Sequence, residues 1–435
     1  MPNLIFILTD DQRYDALGVV NPLARTPTMD ALAKRGTVFR NAFVATSICS
    51  PSRACCLTGR YGSANGVPGL GMALDRDEVT FAQSLKEAGY QTGYVGKWHL
   101  RRPKPKQAGF EAVTYFESNG PHYNRRVIEH GKKKTAQGYI EDYLADQSVA
   151  FIEQAVEAGR PFVLHHATQI PHMDHRFSWP AQDETLALYP LEKMPVPETR
   201  QDDLRGKPPY LRNARSYVRA QQTYGYTDPA NIRRHWQAYL ASITEMDRSL
   251  GRLVAALGRL GIADETWIVL MGDNGWFMGE HGFTSKVLPY EESIRVPFLV
   301  SGPGLEGEQR DELVLNADIS PTLVDLAGLP VPDGVHGRSL LPLLGGEKVA
   351  WRDSILYEAP EPELGSWPLA AVRTARWKYI QTYAIKDPSR LVFEELYDLG
   401  ADPREMTNLA GQAAHAAVQA QLREELGRLR SSVKD

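Results

Sequence analysis

NLIFILTDD, residues 3–11, is the stretch on which the fold turns. Leu4 to Leu8 is an unbroken apolar run, closed by Thr9 and two aspartates. A strand with one wet face alternates apolar and polar residues, so an unbroken run of this length reads as a strand covered on both faces. Four more runs have the same character: YQTGYVGKW (90–98), RPFVLHHAT (160–168), TWIVLMGD (266–273) and VPFLVSG (296–302). Between them lie helical patterns, TMDALAKRG (28–36), TFAQSLKEAG (80–89), IEDYLADQSVAFIEQAVEAG (140–159) and WQAYLASITEMDRSLGRLVAALGRLG (236–261), each closed by a glycine as a C-cap would close it. Strand and helix in alternation predict an α/β fold, a large mostly parallel sheet sandwiched by helices, with ligands bound at the carboxyl ends of the strands.

Beyond about Gly345 the segments shorten to DSILYEA, LAAVRTARWKYIQTY and EELYDL, followed by an amphipathic helix from about Ala413. This predicts two units: a main α/β domain over 1–345 and an α+β subdomain over 346–435 with a small antiparallel sheet and one helix. Residues from about Met173 to Ala230 are rich in Pro, Arg and Tyr and lack periodicity. The segment is too long for an idle connector, and we expect it to pass over the active face.

Charge and sulfur content exclude several classes. The 49 Lys and Arg nearly balance the 53 Asp and Glu, for a net charge of −4, so no global field draws the chain to nucleic acid or anionic membrane. No run approaches the roughly 18 apolar residues of a membrane span. MPNLIFILTDDQ offers no basic leader and no small-residue cleavage site and reads as a first strand, so the expected compartment is the cytoplasm, or the periplasm or exterior if the sequence is trimmed. The three cysteines, Cys49, Cys55 and Cys56, sit within one dozen residues, CSPSRACCLTGR (49–60), which excludes a disulfide framework.

Two strand ends carry acids. Asp10 and Asp11 close the first strand, and Asp273 and Asn274 close the strand TWIVLMG. If those strands are neighbours, three carboxylates and an amide oxygen converge, a hard oxygen site suited to Ca²⁺ or Mg²⁺ and unsuited to zinc. Either pair alone serves equally well as a helix cap. In CSPSR, Pro51 suits the first turn of a helix, which places Cys49 just before its N-terminus, in a potential that favours an anion or a thiolate. Arg53, four residues on, can face the same point with a planar donor fork. A buried apolar Cys49 and a surface ion pair for Arg53 explain the same letters. Strand alternation puts Lys97 and His99 on one side. His172 and Lys286 also follow predicted strands, so all four belong to one sheet edge.

Taken together these segments closely resemble the sulfatase family of the alkaline-phosphatase-like superfamily, in order and over residues 3 to about 409. CSPSRACCLTGR matches its C-x-P-S-R and L-T-G-R signature, NLIFILTDDQRYDALG its N-terminal metal motif, GYQTGYVGKWHL its Lys-x-His segment, and VLMGDNGWFMGEHGFTSKVLPYEESIRVP its second metal motif. The resemblance implies that Cys49 is converted to formylglycine (3-oxoalanine) by a formylglycine-generating enzyme. The hydrated aldehyde would attack the sulfur of a sulfate ester, and its second hydroxyl would later expel the sulfate. It further implies that Asp10, Asp11, Asp273 and Asn274, with an oxygen of residue 49, ligate one divalent cation, Ca²⁺ with Mg²⁺ as the alternative. Arg53 would hold residue 49 and the metal carboxylates, and Lys97 and Lys286 would contact sulfate oxygens. His99 would take the diol proton, while His172 with Lys286 would serve the leaving oxygen. His281 is a weaker candidate, and Cys55 and Cys56 are expected to be packing residues. One departure concerns the run Gly62–Val67, where many relatives carry a histidine, so substrate contacts there do not carry over.

The implied activity is sulfate monoester hydrolysis. Ten basic residues against three glutamates between Lys97 and Lys134, and the arginines at 200, 205, 212, 215 and 219, suggest a sulfated saccharide with further negative charge, such as one containing a uronic acid. Solvated surface or an oligomer contact explains the same charge, and oligomeric state stays open. The rival readings are a phosphonate monoester or phosphodiester hydrolase of the same superfamily, a catalytically silent sulfatase-like binding protein, and a zinc or thiol protein built on the cysteines.

Overall fold

The first strand, β1 (Asn3–Thr9), sends alternate side chains into two different cores, which is why its run is unbroken. Ile5 and Ile7 enter one apolar cluster, and Leu4, Phe6 and Leu8 enter another on the opposite face. β1 is a central strand of a ten-stranded sheet in a computed structural model that describes residues 1–433. It pairs in parallel with β3 (Phe162–Ala167) on one side and β4 (Thr266–Gly272) on the other, and β2 (Gln91–Lys97) lies in parallel beyond β3. The VPFLVSG run forms the strand Phe298–Ser301, antiparallel to β4, because an apolar run carries no information about direction. The hairpin Tyr123–Glu129 with Lys132–Tyr139, at one edge of the sheet, has no counterpart among the sequence-predicted strands.

Helices cover both faces. α1 (Cys49–Thr58), with Phe81–Glu87 and Ile319–Leu326, packs on the Leu4/Phe6/Leu8 side. α2 (Ile140–Glu157) and α3 (Pro229–Arg259) pack on the Ile5/Ile7 side. α3 begins at Pro229 behind an Asp228 N-cap, seven residues ahead of its apolar repeat, since Pro at the first helical position sacrifices no hydrogen bond. Among the described residues no helix is long and apolar enough to cross a membrane.

Four antiparallel strands, Ser354–Ala359, Leu369–Thr374, Trp377–Ala384 and Asp387–Asp398, follow in chain order, and the helix Ala416–Ser432 lies on them. LAAVRTARWKYIQTY is thus two strands, turned between Thr374 and Trp377. This sheet shares an apolar cluster with Ile48 and Cys55 at the back of α1, while Cys56 enters the main-domain core. Tyr357 of the sheet donates from its hydroxyl to the Val287 carbonyl and lies 2.8 Å from Ser47 Oγ, so it braces the segments carrying Lys286 and Cys49. The segment 173–230 is a series of short helical turns pinned to the core through Trp179, Tyr189 and Met194.

Candidate active site

The carboxyl ends of β4, β1, β3 and β2 lie side by side. In the register Thr9 is opposite Gly272, so the two acidic pairs emerge together. The Asp273 N–H donates to the Thr9 carbonyl at 2.8 Å, and the Asp11 N–H to Asp273 Oδ1 at 3.0 Å. On β2, Gly96 has φ +124° and a Cβ there would overlap the Ala167 carbonyl, so glycine lets this strand end close against β3 just before Lys97.

α1 delivers Cys49 to this edge. Cys49 is the first helical residue, not the residue before the helix, and Pro51 stands two further on. Its Sγ lies 3.6 Å from Asp10 Oδ1, 2.8 Å from Lys286 Nζ and 3.8 Å from Lys97 Nζ. Burial pushes the thiol up to about 12 against the pull of both lysines, which disfavours the thiolate that a helix terminus alone would favour. Donor atoms of Asp10, Cys49 and Asp273 all lie within 4.8 Å of one another.

Arg53, one turn along, is 2% exposed and is no surface ion-pair residue. It donates from Nε and Nη2 to Asp273 Oδ2 at 3.0 and 2.8 Å and from Nη1 to the Lys97 carbonyl at 2.7 Å, with Asp10 at 3.7 Å. Its fork is thereby committed to protein oxygens. Lys97 donates to Asp10, and Lys286 to Asp11 and, at 3.3 Å, to Asn274 Oδ1. Asn274 Nδ2 donates to Asp11 Oδ1 at 2.6 Å. Burial alone would raise Asp10, but Lys97, His172, Arg53 and Lys286 together hold it well below the ordinary carboxylate range. Burial and the neighbouring Asp10 charge raise Asp273 to about 7 despite Arg53.

His99 reaches the site by a different route from strand alternation. β2 stops at Lys97, and His99 takes a left-handed φ of 56°. Its buried Nδ1 has no hydrogen-bond partner, and burial followed by the Lys97 and Arg53 charges lowers its pKa well below the ordinary value. His172 lies 3.6 Å from Asp11 Oδ2 through Nε2. Its Nδ1 is 2.7 Å from the Met173 carbonyl, which can only accept, so Nδ1 carries the proton. In the neutral ring Nε2 then accepts from Asn119 Nδ2 at 2.9 Å. His281 is turned to Asp202, 2.8 Å from Nδ1.

A cavity of about 330 Å³ opens above Cys49, with His99, His172 and Lys286 at its base. Its wall includes Asn119, Trp276 and Phe177, none of which stood out in the sequence. Most of the basic stretch 97–134 lies elsewhere. Lys104 pairs with Glu117 and Lys134 with Glu129. Arg125 is buried over the Phe116 ring and donates to Gln169.

The doubly covered, mostly parallel sheet, with a buried cysteine and oxygen donors gathered at its strand ends, fits the alkaline-phosphatase-like fold that the resemblance implies. The sulfatase family model matches residues 2–329, and a model of the C-terminal part of N-sulphoglucosamine sulphohydrolase matches 279–432. The chain belongs to the sulfatase family and is a sulfatase enzyme. It is 28% identical over 495 residues to the N-acetylglucosamine-6-O-sulfatase of Bacteroides thetaiotaomicron, covering 100% of this chain and 87% of that one. A solved complex of a protein with its substrate D-glucosamine-2-N,6-O-disulfate superposes with a TM-score of 0.89 at 28% identity, covering 100% and 98% of the two chains. A phosphonate monoester hydrolase from Silicibacter pomeroyi gives 0.83 at 25% identity, covering 99% and 95%.

Proposed function

We propose that the chain hydrolyses a sulfate monoester on a saccharide, with Cys49 converted to formylglycine and one divalent cation, Ca²⁺ in preference to Mg²⁺, held by Asp10, Asp11, Asp273, Asn274 and residue 49. The observation that carries this reading is the convergence of those five side chains with Lys97 and Lys286 at the ends of neighbouring strands, beneath a cavity of about 330 Å³. The donor set fits a hard cation: three carboxylates and an amide, with Asp11 Oδ2 buried and without a hydrogen-bond partner. Bound there, the cation would draw a sulfate oxygen to itself and polarise the sulfur.

The remaining roles follow from placement. Lys97 and Lys286, both within 3.8 Å of Sγ, would hold the nonbridging sulfate oxygens where charge develops, in a site shielded from bulk water. Arg53, tied to Asp273 and the Lys97 carbonyl, would keep the carboxylates and the helix start in register. His99, neutral at ordinary pH through burial, would accept the proton of the hydroxyl released when sulfate leaves. His172, held through its Nδ1–H by the Met173 carbonyl, would serve the leaving oxygen together with the Lys286 ammonium, and Nε2 would donate to that oxygen only in the doubly protonated ring. Arg53, Lys97 and Lys286 offset the three carboxylates, so the added cation would leave the floor positive toward an anionic ester.

The N-acetylglucosamine-6-O-sulfatase relative and the disulfated glucosamine bound by the solved neighbour favour a saccharide. Two measurements test the reading. The peptide spanning 49–60 should be about 18 Da lighter than its thiol form, and sulfate should be released from a hexosamine 6-sulfate. An intact thiol in an enzyme with full turnover would sink it. The likeness to a phosphonate monoester hydrolase favours one second reading. Parallel kinetics on an aryl sulfate and an aryl phosphonate monoester decide between them by the larger kcat/KM.

A further inference from the structure

Arg215 opens the short helix Arg215–Val218, and Arg219 opens the wider turn Arg219–Thr223 that follows. Four residues apart, they share a helix face, an arrangement in which like charges repel. Both line the cavity above Cys49. Among the described residues neither guanidinium has a carboxylate or a hydrogen-bond acceptor, while Arg205 pairs with Asp203 and Arg212 donates to the Asp203 carbonyl. Asp174 is the one carboxylate in the cavity wall among the described residues. Its Oδ1 is taken by the Arg176 and Ser178 N–H groups and the Ser178 hydroxyl, and its Oδ2 lies 4.0 Å from His175 Nδ1. Lys286, at the base, is matched by Asp11. Arg215 is exposed and Arg219 half-buried, so the two uncompensated cations lie side by side on the cavity wall, and burial followed by the Arg215 charge pulls Arg219 below its ordinary pKa. The Arg219 guanidinium lies 4.8 Å over the Phe177 ring, which fixes its plane and leaves its edge donors free. The backbone beneath is braced: Tyr210 stacks on Trp367 at 4.8 Å and 7°, and Gly365, φ +86°, presses on the Arg215 amide, where a Cβ would come within 2.6 Å.

We propose that Arg215 and Arg219 form a second anion subsite, which takes a further anionic substituent, a sulfate or a carboxylate, of the saccharide whose scissile sulfate sits at residue 49. The proposal rests on the sulfatase reading above and names the substrate class within it: sugars with at least two negative groups, the second displaced toward the segment 173–230.

The test is a selectivity ratio. kcat/KM is measured for glucosamine 6-sulfate against glucosamine 2-N,6-O-disulfate, and for a sulfated uronate disaccharide against its carboxyl-reduced form. The wild type should prefer the dianionic member of at least one pair. Arg215→Gln with Arg219→Gln should cut that preference at least tenfold, and the double lysine variant should restore only part of it, because Lys keeps the charge and loses the fork. Arg212→Gln, outside the cavity, should leave it unchanged. Loss confined to the first pair assigns a sulfate, and loss confined to the second a carboxylate. A ratio unaltered by the double Gln variant, or a wild type without preference in either pair, overturns the proposal. Calorimetric binding of the same sugars to Cys49→Ala, with and without the two Gln substitutions, gives the ratio without turnover. If no sulfate ester is hydrolysed at all, the functional reading fails while the binding ratio still decides the subsite.

Discussion

At the floor of the cavity Arg53, Lys97 and Lys286 each rest on a carboxylate at the end of a buried strand, whereas at its rim Arg215 and Arg219 rest on none. The floor is internally compensated before any ligand arrives. Its geometry is fixed by sheet register and by fully buried side chains, so little reorganisation remains for the reaction. The rim is built of short turns on a long excursion, held by one aromatic stack and a glycine contact, and its charge waits for a partner from outside. On the readings proposed above, electrostatics at the floor would serve catalysis, and electrostatics at the rim choice of substrate.

That contrast is open to experiment, and the largest effect is expected at the floor. Cys49→Ala should abolish sulfate release by roughly 10³-fold or more, because the nucleophile and one metal ligand go together. A residual rate within tenfold of wild type would mean that the chemistry does not start at residue 49. Asp273→Asn should cost roughly 10²-fold or more in kcat. Chelation followed by readdition of Ca²⁺ or Mg²⁺ should mimic it reversibly in the wild type. The same substitution removes the carboxylate charge nearest buried Arg53, leaving Asp10 at 3.7 Å, and an unfolding free energy lowered by about 3 kcal/mol is the expected reading from denaturant titration. His172→Ala should slow hydrolysis of sugar sulfates by roughly 10²-fold. An aryl sulfate, whose leaving group needs no proton, should be hardly affected. Equal losses on both substrates would remove His172 from the leaving-group side. The smallest effect is predicted at the rim: Tyr210→Ala, which deletes the stack on Trp367, should lower stability by about 1 kcal/mol. It should raise KM for a disulfated sugar more than it lowers kcat, and a fall in kcat alone would place the excursion in the chemistry.

The floor was legible in the sequence because its information is local. Asp10–Asp11 and Asp273–Asn274 announce themselves as acids at the ends of apolar runs, and parallel pairing in register does the rest. The same runs could not say that Phe298–Ser301 lies antiparallel, since direction leaves no mark on a strand apolar on both faces. His99 was placed beside Lys97 by the wrong rule, as its left-handed backbone, not strand alternation, turns it inward. The rim was legible only as a region. Counting charge singled out residues 97–134, where Lys104, Lys134 and Arg125 are occupied by their own neighbours, and gave no reason to prefer Arg215 and Arg219 over Arg205 and Arg212. Which cation keeps a free valence is decided by tertiary pairing, and that pairing is invisible to composition.

All ten residues of the helix that begins with Cys49 are buried, and Cys49 itself is 2% exposed. If residue 49 is the formylglycine proposed above, the enzyme that oxidises its thiol would have to reach this segment before the strands close over it, and maturation would compete with folding in time. On that reading the fraction of molecules able to turn over would be set by how long the segment stays extended before folding. Two preparations of identical sequence and identical melting curve would then differ in specific activity in proportion to the converted fraction of residue 49.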